Sequence, residues 1–363
     1  MPGRTVSTTV TTTDASFAVS AARSADLEAQ IAEHPGDFRV LTGDRPTGAL
    51  HLGHYFGTLA NRVRLQRAGV EVFVVIADYQ VITDRDSVGH LSRNLGELLL
   101  DYLAAGIDPD TATVFAHSAI PALNQLMLPF LSLVTAAELR RNPTVKAESE
   151  ATGERSMSGL LLTYPVHQAA DILFCHGNLV PVGRDQLPHV ETTRLIARRF
   201  NERYAGGAVV FGEPDALLTD APVLLGTDGT KMSKSRGNAI ELRSTEDETA
   251  ALIRRAKTDA HRTITYDPVD RPEVASLLLT AAMCTDADPV DFADSIGSRG
   301  AGALKALVTE AVNEYFRPLR RRRIDLAGDP EHLRAVLARG NARANEIAND
   351  TLDDVRHVMD MTY

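Results

Sequence analysis

The stretch Gly-Asp-Arg-Pro-Thr-Gly-Ala-Leu-His-Leu-Gly-His occupies residues 43–54. The residues before it, Asp37 to Thr42, are predicted to form a strand, and a helix is expected from about Gly53. A glycine-rich turn between a strand and a helix lets backbone N–H groups approach a phosphate at the positive helix N-terminus. Many strand–turn–helix units carry glycines for packing alone, so this stretch by itself is weak evidence for a phosphate site.

A second stretch far downstream, Lys231-Met232-Ser233-Lys234-Ser235, lies in a loop between Gly226 and Gly237. Two lysines three residues apart among small polar residues are typical of a mobile cationic loop that clamps a polyphosphate. An ordinary exposed charged loop is the alternative, and it would be the preferred interpretation without the upstream stretch. The two stretches together predict a nucleotide site.

Length and composition are those of a globular protein. The 363 residues suffice for about two domains, with 44% apolar and 24% charged residues. No apolar run approaches the roughly 18 to 20 residues that cross a bilayer, and no basic-then-apolar leader is present, so a cytoplasmic protein without a membrane partner is expected. Cys175 and Cys284 are too few and too far apart for a disulfide framework or a zinc cluster, and both are expected to be reduced.

The net charge of −10 is opposite to the basic character of many nucleic-acid-binding proteins. A local basic face would still suffice for binding. For each candidate patch taken alone, a solvated helix face is the preferred interpretation over a phosphate contact; the patches are Arg140-Arg141, Arg198-Arg199, Arg254-Arg255 and Arg320 to Arg323.

The N-terminal residues 1–36 are predicted to be a disordered or partly helical extension. Residues 1 to about 19 are rich in Thr, Ser and Ala without periodicity, which indicates disorder. Ser20 to Glu33 could form a short helix that ends at His34-Pro35-Gly36.

Residues 37–245 are predicted to form an α/β domain with a doubly wound, Rossmann-type parallel sheet. Strands are expected at Glu71–Ala77, Thr111–His117 and Leu179–Val182, with helices at Leu91–Ala105 and Val190–Tyr204. Consecutive helical periodicity over about 121–175 indicates an insertion between the two halves of the sheet.

Residues 246–363 are predicted to form an all-helical domain that begins with an N-cap and an acidic first turn at Ser244 to Glu248. Glycine-containing breaks are expected to divide it at Gly300 and Gly302, at Gly328-Asp329-Pro330 and at Gly340.

Polar residues follow two of the predicted strands, at Asp78-Tyr79-Gln80 and at Gly183-Arg184-Asp185-Gln186. Such residues at strand carboxyl ends are well placed to face a ligand, although ordinary turns look the same. On the helix between them, Tyr164, Gln168 and Asp171 are spaced i, i+4 and i+7, so they share one face. An apolar context predicts that this row is buried, and buried polar groups need partners.

His51-Leu52-Gly53-His54 and Lys231 to Ser235 together resemble the two signatures of class I aminoacyl-tRNA synthetases. The middle of the chain is similar to the tryptophanyl and tyrosyl members, with Thr163 to Ile172 and Val180 to Glu191 closer to the tryptophanyl pattern. The similarity runs from about Arg39 to the C-terminus. Leu41 stands where tyrosyl enzymes usually have a hydroxyl-binding Tyr, and Arg45 stands where they have an acidic residue.

The resemblance implies that Asp171 accepts the indole N–H of tryptophan, and that Tyr164 and Gln186 hold its α-amino group. Gln168 stands where many bacterial tryptophanyl enzymes have Met, and Gln80 where many have His. These departures indicate a divergent bacterial subtype and leave the detailed shape of the amino-acid pocket open.

The resemblance also implies an ATP site. His51, His54, Lys146, Lys231 and Lys234 would act on the phosphates, with Gly183 and Asp185 on the ribose side and Leu224 lining the adenine pocket. The full set expected to contact ATP is Arg45, Pro46, Thr47, Gly53, His54, Gly183, Arg184, Asp185, Leu224, Lys231, Met232, Ser233, Lys234 and Ser235. The two histidines could instead be structural caps. Mg²⁺ would bridge phosphate oxygens of ATP without a dedicated protein site.

The implied function is ATP-dependent activation of L-tryptophan and its transfer to the 2′-hydroxyl of the terminal adenosine of tryptophan tRNA. The helical C-terminal part would bind the anticodon, across a homodimer, with Arg320 to Arg323 as a candidate contact. Three alternatives remain at this point: activation of tyrosine, a cofactor nucleotidyltransferase of the same fold, and a non-catalytic or regulatory synthetase paralogue.

Overall fold

A computed structural model describes residues 12–83, 89–151, 157–218 and 223–363, without the side chains of residues 12–19, 148, 151 and 235. Its centre is a sheet of parallel strands in the order β3-β2-β1-β4-β5. The strands are β1 Arg39–Asp44, β2 Glu71–Ile76, β3 Ala112–Ala116, β4 Leu179–Val182 and β5 Asp215–Leu218. The doubly wound sheet and its first four strands are therefore confirmed. β5, which lacks β-branched residues, was not predicted.

Helices cover both faces of the sheet, and loops join them to the strands and to one another. Those up to the last strand are α1 Thr12–Glu33, α2 Leu52–His54, α3 Ala60–Ala68, α4 Leu91–Ala105, α5 Pro121–Leu131, α6 Ala136–Arg141, α7 Pro143–Ala151, α8 Gly159–Leu173 and α9 Leu187–Arg203. A π-helical turn, Tyr55–Leu59, joins α2 to α3. The run from α5 to α8 confirms the helical character of the insertion.

The C-terminal part is helical, as predicted. Its helices are α10 Glu246–Arg255, α11 Pro272–Thr285, α12 Pro289–Ile296, α13 Gly300–Ala327 and α14 Pro330–Val358. The Thr245 side chain accepts a hydrogen bond from the Glu248 backbone, and the Glu248 carboxylate accepts one from the Thr245 N–H, which confirms the predicted cap of α10.

Helix α1 begins at Thr12, so the prediction of disorder up to about residue 19 is wrong for residues 12–19; residues 1–11 lie outside the described part. The helix covers the outer edge of β5. Ser24 Oγ donates to the Ala216 carbonyl and accepts from the Leu218 N–H at 2.9 Å, which satisfies backbone groups that no strand pairs. Leu27 and Ile31 bury their side chains in the core beneath it.

Helix α14 covers the opposite edge of the sheet, at β3. The Ala116 N–H donates to Asn341 Oδ1 at 2.9 Å. The predicted break at Gly340 is wrong, because Gly340 lies inside α14 and a Cβ there would come within 1.9 Å of the Val114 carbonyl oxygen. Glycine is needed at this position for close approach of the helix to the strand.

Gly340→Ala is expected to destabilise the protein by about 3 kcal/mol, since the added methyl group forces α14 away from β3. Gly96→Ala in α4 is the matched control: a Cβ there meets nothing within 4 Å, so the change is expected to be neutral or to stabilise by up to about 1 kcal/mol. Urea unfolding of the variants measures both effects. Equal stability of the Gly340 variant and the parent would contradict the close approach.

The C-terminal helices share their apolar core with the sheet. Phe316 of α13 lies in the same buried cluster as Val72 of β2. Leu352 of α14 lies in the cluster that contains Phe115 of β3. The boundary predicted at residue 246 is therefore crossed by continuous packing.

Three of the four arginines in the run predicted as a tRNA contact make contacts within the protein, while Arg321 is exposed. Arg320 is 9% exposed and donates to Thr249 and Asn313. Arg322 donates to the Ala104 carbonyl, and Arg323 pairs with Asp101 at 2.7 Å. These three guanidinium groups tie α13 to α4 and α10, because their hydrogen bonds and ion pairs point inward.

Asp101 connects this network to the first signature. Its carboxylate is fully buried, and Oδ2 accepts the Leu50 N–H at 2.9 Å while Oδ1 accepts from Arg323. One side chain thereby joins α13 to the residue before His51.

In the part of the chain that the structure describes, no helix is long and apolar enough to cross a bilayer.

Candidate active site

A cavity of about 340 Å³ opens at the carboxyl ends of β1, β2 and β4. The chain runs from β1 to β2 and β3 on one side of β1, and then crosses to β4 and β5 on the other side. The strand order therefore reverses between β1 and β4. Ligands bind open α/β sheets at this point, because the loops on either side diverge and leave a crevice. The polar residues that follow β2 and β4 contribute Gln80, Gly183 and Gln186 to its wall.

Helix α8 presents the predicted polar row to this cavity. Tyr164, Gln168 and Asp171 all line it, together with Leu41 at the sheet. The Tyr164 hydroxyl lies 3.1 Å from His189 Nε2, and burial lowers the pKa of His189 to about 4, which keeps this imidazole neutral. The helical spacing predicted that these three side chains share one face, and all three line the same cavity.

Asp171 lies at the bottom of the cavity and is 1% exposed. Burial raises its pKa well above the usual value, and the nearby charge of Asp78 raises it further. Its Oδ1 atom has no well-aligned hydrogen-bond partner among the described residues. A buried carboxylate of this kind in the wall of a cavity is suited to accept a ligand N–H.

The first signature forms the other end of the cavity. Arg62 Nη1 donates to Asp44 Oδ2 at 2.5 Å, and the Tyr102 hydroxyl donates to the same oxygen at 2.7 Å. Burial alone would raise the pKa of Asp44, but the charge and hydrogen bond of Arg62 lower it to about 2. Asp44, Arg45 and Arg62 all line the cavity, so this end combines a fixed carboxylate with two guanidinium groups.

His51 and His54 stack with their ring centroids 3.7 Å apart. Burial, with a smaller contribution from the positive charge of Lys234, lowers the pKa of His51 to about 3 and that of His54 to about 4. The His51 N–H donates to His54 Nδ1 at 3.2 Å, so His54 also has the capping role that the sequence left open. Both imidazoles are neutral at physiological pH and can act as hydrogen-bonding groups rather than cations.

The second signature lies against the first, as the pair of motifs predicted. The Leu52 N–H donates to the Ile240 carbonyl at 3.0 Å, and the Leu242 N–H donates to the Leu50 carbonyl at 2.9 Å. A Cβ on Gly48 would lie 3.7 Å from Lys234 Nζ, which places this ammonium over the glycine turn. The positive φ of Gly48, 128°, is a conformation that other residues rarely adopt.

Asn238 fixes the loop that carries the two lysines. Its Oδ1 accepts the Ser233 N–H at 2.7 Å, and its Nδ2 donates to Asp228 Oδ1 at 2.8 Å. The amide lies so close to Gly226 that a Cβ there would approach Asn238 Cγ to 2.3 Å. One buried amide thus closes the loop between Gly226 and Gly237.

Comparison with known proteins agrees with this geometry. The family model described as tRNA synthetases class I (W and Y) matches residues 33–317. The tryptophan–tRNA ligase of Clostridium longisporum is 41% identical over 335 residues, covering 89% of this chain and 97% of that protein. The tryptophan–tRNA ligase of Treponema pallidum is 40% identical over 331 residues, with the same coverage of each chain. The chain belongs to the tryptophan–tRNA ligase family.

A solved tryptophanyl-tRNA synthetase, that of Campylobacter jejuni complexed with ADP and tryptophan, superimposes with a TM-score of 0.75 at 30% identity. It covers 88% of this chain, and the match spans 99% of its own length. The tyrosyl-tRNA synthetase of Archaeoglobus fulgidus has the same fold, with a TM-score of 0.63 at 23% identity. Membership of the tryptophan–tRNA ligase family makes the cofactor nucleotidyltransferase alternative wrong.

The residues predicted to bind ATP are not all gathered around the cavity. Arg45 and Gly183 line it, while Leu224 and Met232 are buried in the apolar core beside the second signature. Lys146 is exposed on α7, a helix that contacts the turn after β4 through a 3.1 Å hydrogen bond from Thr144 to the Asp185 carbonyl. Pro46, Thr47 and Gly53 belong to the signature turn, Arg184 and Asp185 are exposed in the turn after β4, and Ser233 lies in the lysine loop. The side chain of Ser235 lies outside the described part.

Several residues of this tryptophan–tRNA ligase site escaped sequence analysis. His117 ends the third predicted strand, so the rule that singled out Gln80 after the second strand could also have found it. Arg62 and Asn238 carry no such signal, since their partners are 18 and 10 residues away in the chain. Arg62 would be taken for a solvated residue of α3.

Proposed function

We propose that the protein joins L-tryptophan to its tRNA in two steps, through tryptophanyl-adenylate. The observation that carries this proposal is Asp171 in a cavity whose other end contains Gly43, Asp44 and Arg45 of the first signature. The second signature packs against the first beside this end. ATP and tryptophan would lie end to end across β1, with the carboxylate of the amino acid towards the signatures. Leu41, in place of a hydroxyl-binding side chain, supports tryptophan over tyrosine because a phenol would lose its hydrogen bond there.

In the first step an oxygen of the tryptophan carboxylate attacks the α-phosphate of ATP in line. The bond to the pyrophosphate oxygen breaks, and pyrophosphate leaves with the negative charge. No side-chain nucleophile is required, so positioning and charge stabilisation account for catalysis. Tyr164 and Gln186 would hold the ammonium group and Asp171 the indole N–H, which aligns the carboxylate.

Positive charge at the phosphate end would come from Lys231 and Lys234. Lys234 lies over the glycine turn, whereas Lys231 is exposed. Mg²⁺ would enter with ATP as part of the substrate; among the described residues no group of three or more His, Cys, Asp or Glu side chains is arranged to hold a metal ion. The neutral His51 and His54 would donate hydrogen bonds without repelling the lysines.

In the second step the 2′-hydroxyl of the terminal tRNA adenosine attacks the carbonyl carbon of the adenylate, and AMP leaves. The C-terminal helices would bind the anticodon region of the tRNA, and a homodimer in the cytoplasm is the expected working form. Arg320, Arg322 and Arg323 of α13 make contacts within the protein, so the exposed Arg321 and the exposed pairs Arg140-Arg141 and Arg254-Arg255 are the candidates for this contact.

Exchange of labelled pyrophosphate into ATP, with each amino acid supplied separately, tests the first step. We expect exchange that depends on tryptophan alone, followed by charging of tryptophan tRNA. Exchange with tyrosine would transfer the assignment to the sister enzyme. Absence of exchange with every amino acid would support the non-catalytic paralogue.

A further inference from the structure

Two buried histidines that are not part of the cavity wall lie close to Asp171. His117 follows β3 and is fully buried, and His167 on α8 is 3% exposed. Their ring centroids are 4.0 Å apart, and the ring of Tyr79 lies 5.6 Å from that of His117. Neither histidine contributes to the reaction as described above.

His117 faces the carboxylate that reads the amino acid. Its Nε2 atom lies 3.3 Å from Asp171 Oδ1, and both side chains are almost wholly inaccessible to solvent. The approach is poorly aligned, so both atoms remain without a full hydrogen bond among the described residues. A small rotation of either side chain would complete the bond. Leaving two buried polar atoms unpaired costs free energy, which favours this hydrogen bond.

We propose, on the basis of the function proposed above, that His117 is a positioning residue which holds the Asp171 carboxylate in the orientation that accepts the indole N–H. In this arrangement His117 Nε2–H donates to Oδ1, and Oδ2 is left to accept from the substrate. The imidazole thereby contributes to the choice of amino acid without touching it.

The alternative partners of Asp171 do not fit this role. Asp78 carries like charge, and its own carboxylate is occupied by the N–H groups of Tyr79 and Ser118 and by the Ser118 hydroxyl. His167 packs against His117 rather than against the carboxylate. Burial lowers the pKa of His117 well below its usual value and His167 lowers it further, so the ring stays neutral and retains one N–H donor.

The test compares tryptophan with β-(benzothiophen-3-yl)alanine, in which sulfur replaces the indole N–H. The ratio of kcat/KM values for the two amino acids in pyrophosphate exchange measures how well the N–H is read. His117→Leu is expected to lower this ratio about tenfold or more, since a misoriented carboxylate no longer favours the donor. His117→Gln, which keeps a donor, is expected to restore the ratio to within about threefold of the parent.

His167→Leu is the matched control, because it removes an equally buried histidine from the same cluster. It is expected to leave the ratio unchanged, even if the melting temperature falls as in the His117 variants. An unchanged ratio in His117→Leu, or an equal fall in His167→Leu, would overturn the proposal. The parent enzyme's own exchange with tryptophan tests the proposed function separately, so the two failures are distinguishable.

Discussion

Lys234→Ala is expected to slow adenylate formation by about a hundredfold to a thousandfold, the usual effect of removing one preorganised charge from a transition state. The Lys234 ammonium lies over the glycine turn of the first signature, where the leaving pyrophosphate would gain negative charge. The KM for tryptophan should change little, because the amino acid binds at the opposite end of the cavity. Single-turnover measurement of adenylate formation separates this effect from substrate binding.

Lys305→Ala is the matched control for this experiment. Lys305 lies on α13, and its ammonium donates to the Arg254 carbonyl at 3.2 Å. Its removal is expected to leave the rate within about twofold of the parent, since exposed charges contribute little at a distance. A comparable loss in both variants would indicate a general effect of charge and would argue against a direct role for Lys234.

Asp171→Ala is expected to raise the KM for tryptophan by about tenfold to a hundredfold, the cost of losing one hydrogen bond to a charged group. The KM for ATP should stay nearly constant. Asp171→Asn keeps the shape of the side chain and one acceptor oxygen, so it should lie between the alanine variant and the parent. Equal rises in both KM values would show that Asp171 supports the cavity as a whole and does not read the amino acid.

Asp171 should also lower the stability of the protein at neutral pH. Its pKa is raised in the folded state, so the unfolded chain binds fewer protons between the ordinary carboxyl pKa, about 4, and the raised value. The free energy of unfolding therefore falls as the pH rises through this window. Asp171→Asn is expected to melt at a higher temperature than the parent at pH 7, and the difference should vanish below about pH 4.

Local patterns in the sequence were sufficient to predict the first four strands of the sheet, both signatures and the polar row of α8. Each depends on residues within a few positions of one another, such as Tyr164, Gln168 and Asp171 on successive turns. Features that depend on distant partners were missed or misjudged. Gly340 was predicted to break a helix. The Val114 carbonyl, whose close approach requires glycine at this position, lies on another element.

A cluster of charged residues was also a poor indicator of a binding surface when the ion-pair partners of those residues lie far away in the sequence. The run from Arg320 to Arg323 has the composition of a nucleic-acid contact, yet Arg323 meets Glu97 and Asp101 more than 200 residues earlier. His117 gave a readable signal at a strand end, but its relation to Asp171 could not be read from spacing, since 54 residues separate them in the sequence numbering. Pairings of this kind become visible only when the fold is known.

The cover that α14 gives to β3 has a consequence for synthesis of the chain on the ribosome. The strand, residues 112–116, is made more than 200 residues before Asn341, which caps its outer N–H. Until that helix has emerged and docked, β3 presents an unpaired edge of the kind that recruits strands from other chains. The outer edge of β3 is therefore covered only after the last helices have been made, and we expect nascent chains stalled before residue 330 to be the form of this protein most prone to aggregate.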